Sequence, residues 1–211
     1  MINGKTFDYI IIDELEYMEH KKLNVRFEPR TIEKIQDAKL RISRIVHGAL
    51  SDPLIPNDLV ELIKEKGVVT GGISASVFHN EKPKDCDIYF KDRDAVKQFA
   101  KIMGRPNVVK NIVKDVDPRY HTTTMVNGKL VTSRATTLFN DLQIITMGTS
   151  DMIDTFDFIH CKPRLDLKSN TYYISPKEYK SIESKTLILN ATCEKVDEKR
   201  IEKFKDRGWK G

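Results

Sequence analysis

The segment Gly67 to Phe90, GVVTGGISASVFHNEKPKDCDIYF, leaves this chain few folds to adopt. Val68-Val69-Thr70 is a β-branched run that reads as a strand, and it leads straight into two glycines. Ile73 to His79 is short and apolar enough for a helix, HNEKPKD closes it as a turn, and Asp87 to Phe90 alternates as a second strand. Gly71 and Gly72 therefore stand at a helix start, where backbone N–H groups and the helix dipole favour a phosphate. Ser74 adds a hydroxyl to that cradle. Asp85 and Asp87 lie two residues apart, so both carboxylates project to one face. Like charges this close repel unless a cation lies between them, and paired hard oxygens suit Mg²⁺. Together these parts describe a site for a metal-chelated nucleoside triphosphate.

The remaining pattern predicts an α+β protein. Residues 31–47 read as a helix capped by Thr31, with Ile32, Ile35, Ala38, Ile42, Ile45 and Val46 on one face and Gly48 ending it. A second helix is expected from its cap Asn57 to Gly67, and a third from Arg93 to Met103 with Arg93, Lys97 and Lys101 along its outer face. Strands are expected at Asn107 to Val116, on either side of a turn at Asn127-Gly128, at Leu142 to Thr146 and at Phe156 to Cys161. Ser150 to Asp154 reads as helical, and the tail ends in a helix carrying Val196, Ile201 and Phe204 before Trp209. The chain reads as one domain: an N-terminal helical extension over 1–56, a catalytic core over 57–165 and a C-terminal α/β extension over 166–211.

The chain has 211 residues, 39% of them hydrophobic, and no apolar run long enough to span a membrane. Its N-terminal residues do not resemble a signal peptide, which gives a cytoplasmic expectation. Three scattered cysteines, Cys86, Cys161 and Cys193, make neither a disulfide scaffold nor a zinc knuckle. The net charge is +5, and residues 91–134 hold ten Lys/Arg against four Asp/Glu. That excess is either an attraction for polyphosphate or nucleic acid, or a solvated lysine-rich surface. His79 reads as a loop histidine, and His160-Cys161 as a buried histidine and thiol.

A GG turn followed about a dozen residues later by a strand with D-x-D resembles the DNA polymerase β-like nucleotidyltransferase superfamily. GGISAS and KPKDCDIYF look most like the poly(A) polymerase and CCA-adding enzyme head domains. The stretches SRATTLFNDLQIIT, FDFIHC and KFKDRGW extend the resemblance to small nucleotidyltransferase-like proteins of bacteriophages and large DNA viruses, over roughly residues 60–210. The resemblance implies a small mixed sheet backed by helices, here with N- and C-terminal helical additions. It also implies transfer of a nucleoside monophosphate from an NTP to an acceptor hydroxyl, with Mg²⁺ or Mn²⁺. In that scheme Asp85, Asp87 and a third carboxylate hold two metal ions. Asp157 fits the family's apolar-acid-apolar pattern for the third position; Gln143, on the other strand of similar register, would leave turnover slow or absent. Gly71, Gly72, Ser74 and Arg134 are the expected nucleotide-binding residues. The acceptor is left open among RNA or tRNA 3′ ends, a protein and a small molecule. A chain this short lacks the long RNA-binding region of a processive polymerase. The competing expectation is a catalytically inactive module that binds nucleotide, nucleic acid or a partner protein; in either case a phage-encoded chain would work in the host cytoplasm.

Overall fold

The computed structural model describes residues 10–12, 29–104, 123–126, 129–132, 135–138, 141–193 and 196–211. Strands β1 (Ile10–Ile12), β2 (Gly67–Thr70), β3 (Cys86–Phe90), β6 (Ala135–Thr137), β7 (Leu142–Ile145), β8 (Arg164–Asp166) and β9 (Thr171–Ile174) form one sheet. Its order is β1-β9-β8-β2-β3-β7-β6. Only β3 and β7 run parallel; every other neighbouring pair is antiparallel. Strands β4 (Thr123–Val126) and β5 (Lys129–Thr132) pair separately on either side of Asn127-Gly128, matching the expected hairpin, although those two residues lie outside the described set.

Helices α1 (Pro29–Leu50), α2 (Asn57–Lys66), α3 (Ile73–Phe78), α4 (Arg93–Met103), α5 (Pro176–Glu183) and α6 (Glu198–Lys205) complete the mixed α+β architecture. Helix α1 buries Ile35, Ala38, Ile42 and Val46, the stripe its periodicity announced, and packs on α3. Each fully buried branched side chain contributes about 1.5–3 kcal/mol of hydrophobic stabilisation. The helix runs past Gly48 to Leu50. Arg41 on its flank donates to the Val77 carbonyl and to Asn80 Oδ1, closing the end of α3. Gly67 does not end α2 in a left-handed turn: its backbone is extended and opens β2, where a Cβ would lie 2.4 Å from the Ile63 carbonyl.

One strand expected from the sequence is absent from the fold. Phe156 to Cys161 is not a strand. Phe158 makes one isolated bridge to Leu189, and a 3₁₀ turn follows at Ile159–Cys161. The segment is held by two backbone bonds, from the Ile159 amide to the Ile188 carbonyl and from the Asn190 amide to the Asp157 carbonyl, and by the Asn190 side chain, which donates to the carbonyls of Asp154 and Phe156. The expected strand over Asn107 to Val116 lies outside the described residues.

The sheet sorts its residues by alternation. On β3, Cys86, Ile88 and Phe90 are buried while Asp87 and Tyr89 are half-buried. On β7, Leu142 and Ile144 are buried while Gln143 is half-buried. The period of two thus sends the apolar set into the core and Asp87, Tyr89 and Gln143 to the opposite face, where a pocket opens.

Candidate active site

Strand β2 delivers the glycines. At its end Thr70 is buried, and its hydroxyl donates to the carbonyls of Cys161 and Pro163, so the strand terminus is pinned to the 3₁₀ turn. Gly71 follows with φ +85°, and a Cβ there would stand 2.6 Å from Asp87 Oδ2. A side chain at this position would be strained by the backbone and would collide with the carboxylate. The Gly71 N–H donates to the Cys161 carbonyl at 3.1 Å, so this glycine supplies the turn and the space rather than an amide for a ligand. Gly72 lines the pocket, and a Cβ on it would meet nothing within 4 Å.

Asp87 lies at the centre of the sheet. In register it stands between Thr70 on β2 and Gln143 on β7. Its Oδ1 is shut off from solvent and has no hydrogen-bond partner. Burial, and then the neighbouring charge of Asp85, push its pKa up to about 7, while Lys203 and Arg200 pull the other way. Asp85 sits one residue before β3, exposed at the pocket mouth rather than within the strand.

The other expected residues divide. Ser74 does not line the pocket: it is buried and its hydroxyl accepts from the Tyr172 phenol at 2.9 Å. Two positions along the short helix, Ser76 lines the pocket instead. Asp157 lines the wall, but its carboxylate is held by Arg200, which donates to Oδ1 from Nη2 at 3.1 Å and pairs through Nε with Oδ2. Oδ1 also accepts from the Phe158 amide. Among the described residues no three His, Cys, Asp or Glu side chains gather as a metal centre. The residue beside Asp87 on the neighbouring strand is Gln143, whose Nε2 donates to Thr137 Oγ1 at 3.2 Å. Arg134 lies outside the described residues.

The pocket has a volume of about 750 Å³, within the range that accepts a nucleotide. One wall is apolar, with Ile145, Met147, Met152 and Phe156. Arg200 and Lys203 from α6 and Arg207 just beyond it make part of the lining basic, and Lys84 adds a fourth cation. Among the described residues, Lys91, Arg93, Lys97 and Lys101 do not line it. Arg93, Lys97 and Lys101 are exposed on α4, with Lys97 paired to Asp94. His79 is bonded to the Ile182 carbonyl, away from the pocket.

Nothing in the spacing of the glycines and acids announced the α6 cations, because they follow more than 110 residues after Asp87. The available signal was the terminal helix itself, with basic residues at 200, 203 and 207 recurring on one side of an apolar Phe204 and Trp209.

Among solved structures, the chain is similar to the Thermotoga maritima CCA-adding enzyme complexed with tRNA, with 17% identity and a TM-score of 0.36. The similarity covers 68% of this chain and 35% of that enzyme's chain. No curated protein matches the chain. Residues 38–185 match the family described as Gabija anti-defense 2 family protein. That match runs over well more than half of the sequence, and the chain belongs to the Gabija anti-defense 2 family.

Proposed function

We propose that this chain is a metal-dependent nucleotidyltransferase of phage or viral origin whose action serves the anti-defense role in its family's name. The single observation that carries the proposal is Asp87. One carboxylate oxygen, Oδ1, is buried and unpartnered, the other, Oδ2, has room only because residue 71 is glycine, and a second aspartate stands two residues away. Leaving a buried charged acceptor unsatisfied is costly, and such groups are retained where a ligand completes them. The donor set is hard oxygen, which suits a divalent cation, and a cation here would relieve the repulsion between Asp85 and Asp87. Asp85 and Asp87 would hold Mg²⁺ or Mn²⁺, which when bound offsets charge on the transferring phosphoryl group.

The chain's own residues do the rest. The Gly71-Gly72 turn keeps side chains away from the phosphates, and the apolar wall with Met152 and Phe156 gives the nucleoside a dry surface. In the transfer, an acceptor hydroxyl oxygen forms a bond to the α-phosphorus, the α–β P–O bond breaks, and pyrophosphate leaves with the electron pair. The hydroxyl proton needs a base. Asp157, on the pocket wall, is the carboxylate offered by this reading, and it would have to exchange its bonds to Arg200 to act.

A second reading has its own observation. Gln143 stands in register beside Asp87, where the resemblance calls for an acid, and an amide cannot accept a proton at neutral pH. This favours a module that binds nucleotide without turning it over. The test uses each α-labelled NTP with Mg²⁺ or Mn²⁺ and an extract of host RNA and protein. Label transferred by the wild type and lost in Asp85→Ala and Asp87→Ala supports the enzyme. NTP bound without transfer to any acceptor supports the module. Neither binding nor transfer refutes the site.

A further inference from the structure

The basic wall of the pocket has no place in the chemistry above, and it is built too firmly to be a loose surface patch. Helix α6 is fixed from beneath. Phe204 packs edge-on against Phe158 at 5.2 Å and against His160 at 4.6 Å, and His160 stacks on Trp209 at 3.9 Å. Beyond the helix, Lys210 donates to the Lys185 carbonyl and accepts from the Leu187 amide, tying down the chain end. Phe204 is buried yet lines the pocket together with Arg200, Lys203 and Arg207, which recur beside it at helical spacing. They share the pocket lining with Gly71, Gly72, Asp85 and Asp87. Arg200 is aimed by its two bonds to Asp157, while the Asp157 backbone is tied by its carbonyl, which accepts from the Asn190 amide.

We infer that Arg200, Lys203 and Arg207 form a clamp for the polyphosphate tail of the nucleotide, with Asp157 as the residue that positions Arg200. The inference rests on the nucleotide-site reading above. A triphosphate carries more negative charge than its metal ion neutralises, and three cations on one anchored chain end, in the same pocket as the carboxylates, meet that excess. Arg200 presents a planar fork suited to two phosphate oxygens, and Lys203 a point charge. Asp157 on this view is a positioning residue rather than a metal ligand, which agrees with its lying outside any three-membered acidic cluster among the described residues.

The test measures binding of inorganic tripolyphosphate, and of each NTP in competition with it, to the full chain in EDTA. Metal-free conditions isolate the clamp from Asp85 and Asp87. Wild type is expected to bind tripolyphosphate, with NTPs displacing it. Lys203→Ala, Arg200→Ala and Arg207→Ala should each weaken binding about tenfold, the loss of one charge-assisted contact. Lys205→Ala, one helix position from the wall and not lining it, serves as the control and should leave binding unchanged. Asp157→Asn should weaken tripolyphosphate binding as Arg200→Ala does, and the double variant should be no weaker than either alone. Thermal melts of each variant establish that the fold is retained.

If the three cation variants bind tripolyphosphate as the wild type does, the clamp is wrong. Should they still do so while Asp85→Ala and Asp87→Ala abolish Mg-NTP binding, the nucleotide site stands without the clamp. Binding of tripolyphosphate that depends on the three cations but that no NTP displaces supports the clamp and sinks the nucleotide reading. Additive losses from Asp157→Asn and Arg200→Ala overturn the positioning role.

Discussion

His160 sits where a charge is hardest to accommodate, and acid should reveal it. The ring is fully buried between Trp209 and Phe204, and neither of its nitrogens has a hydrogen-bond partner. Burial first, and the Arg200 guanidinium second, push its pKa down to about 3. The unfolded chain takes up this proton below about pH 6.5, whereas the folded chain stays neutral until about pH 3. Acid therefore favours unfolding: the contribution is full above pH 6.5 and is lost as pH falls toward 3. Between pH 7 and pH 5 the loss is about 2 kcal/mol by linkage, and about 4–8 °C in Tm for a chain of this size. His160→Phe keeps an aromatic ring against Trp209 and removes the titrating nitrogens. Its absolute stability at pH 7 is a poor readout, since lost unpaired nitrogens and added ring volume act in opposite directions. The pH dependence is the clean one. Urea melts at pH 7, 6 and 5 should show the variant gaining about 2 kcal/mol relative to the wild type across that range. Parallel pH profiles for the two proteins would refute the reasoning. Because His160 anchors Phe204 and Trp209, tripolyphosphate binding by the wild type should weaken over the same acid range if the end of the chain loosens before the sheet does.

Asp87→Asn should raise the Tm of the metal-free protein at pH 8, because it removes a carboxylate whose charged form is disfavoured by burial, and Mg²⁺ should raise the Tm of the wild type but not of the variant. A calorimetric or dye-based melt with and without Mg²⁺ checks both, and identical Mg²⁺ responses would count against Asp87 as a ligand. Gly71→Ala is expected to cost about 1–3 kcal/mol from its positive φ alone and to abolish Mg²⁺-dependent stabilisation by driving Asp87 aside; urea melts and the same Mg²⁺ titration report on each. Gln143→Glu should lower the Mg²⁺ concentration at which the melt responds, since it adds a third carboxylate beside Asp87, and should destabilise the metal-free protein through like-charge repulsion. An unmoved Mg²⁺ midpoint would mean that position 143 does not face the ion.

The features legible in the sequence were those set by local geometry. A β-branched run ending in two glycines, and acids two apart before an alternating strand, fix their own directions by the period of two. The strand carrying Asp87 and the buried Ile35, Ala38, Ile42 and Val46 of α1 accordingly appear where periodicity places them, whereas Asp85 falls just before the strand and Ile45 is exposed. Ser74 was misplaced because α3 has only six residues, and on so short a helix the inward face is decided by where Tyr172 arrives from β9, which no local pattern encodes. The segment around Asp157 alternates like a strand, yet β8 and β9 occupy the far side of β2 and leave it only an isolated bridge to Leu189, so the chain turns at 159–161 instead.

The positive charge shows the same limit more sharply. Counting lysines and arginines along the sequence placed the excess at 91–134, directly after the acidic strand, and sequence proximity suggested that it served the acids. The fold spends α4 on packing against α2, which leaves Arg93, Lys97 and Lys101 on an outer surface away from the pocket. Among the described residues, the cations that share the pocket with the acids are Lys84 and, from the other end of the chain, Arg200, Lys203 and Arg207, held there by Phe204 and Trp209. A cation's value to a site depends on the rigidity of the element that presents it, because an ion pair between mobile exposed side chains is worth little. Buried aromatic residues interleaved with basic ones at helical spacing were therefore the better sequence signal. By that criterion KFKDRGW, with Lys203 and Arg207 around Phe204 and Trp209, ranks above the basic residues of α4, which turn outward. Phe204→Ala tests it directly: with no charge removed, losing the anchor should weaken tripolyphosphate binding about as much as Lys203→Ala does. If binding survives while the melt shows α6 detached, presentation is not what gives these cations their effect.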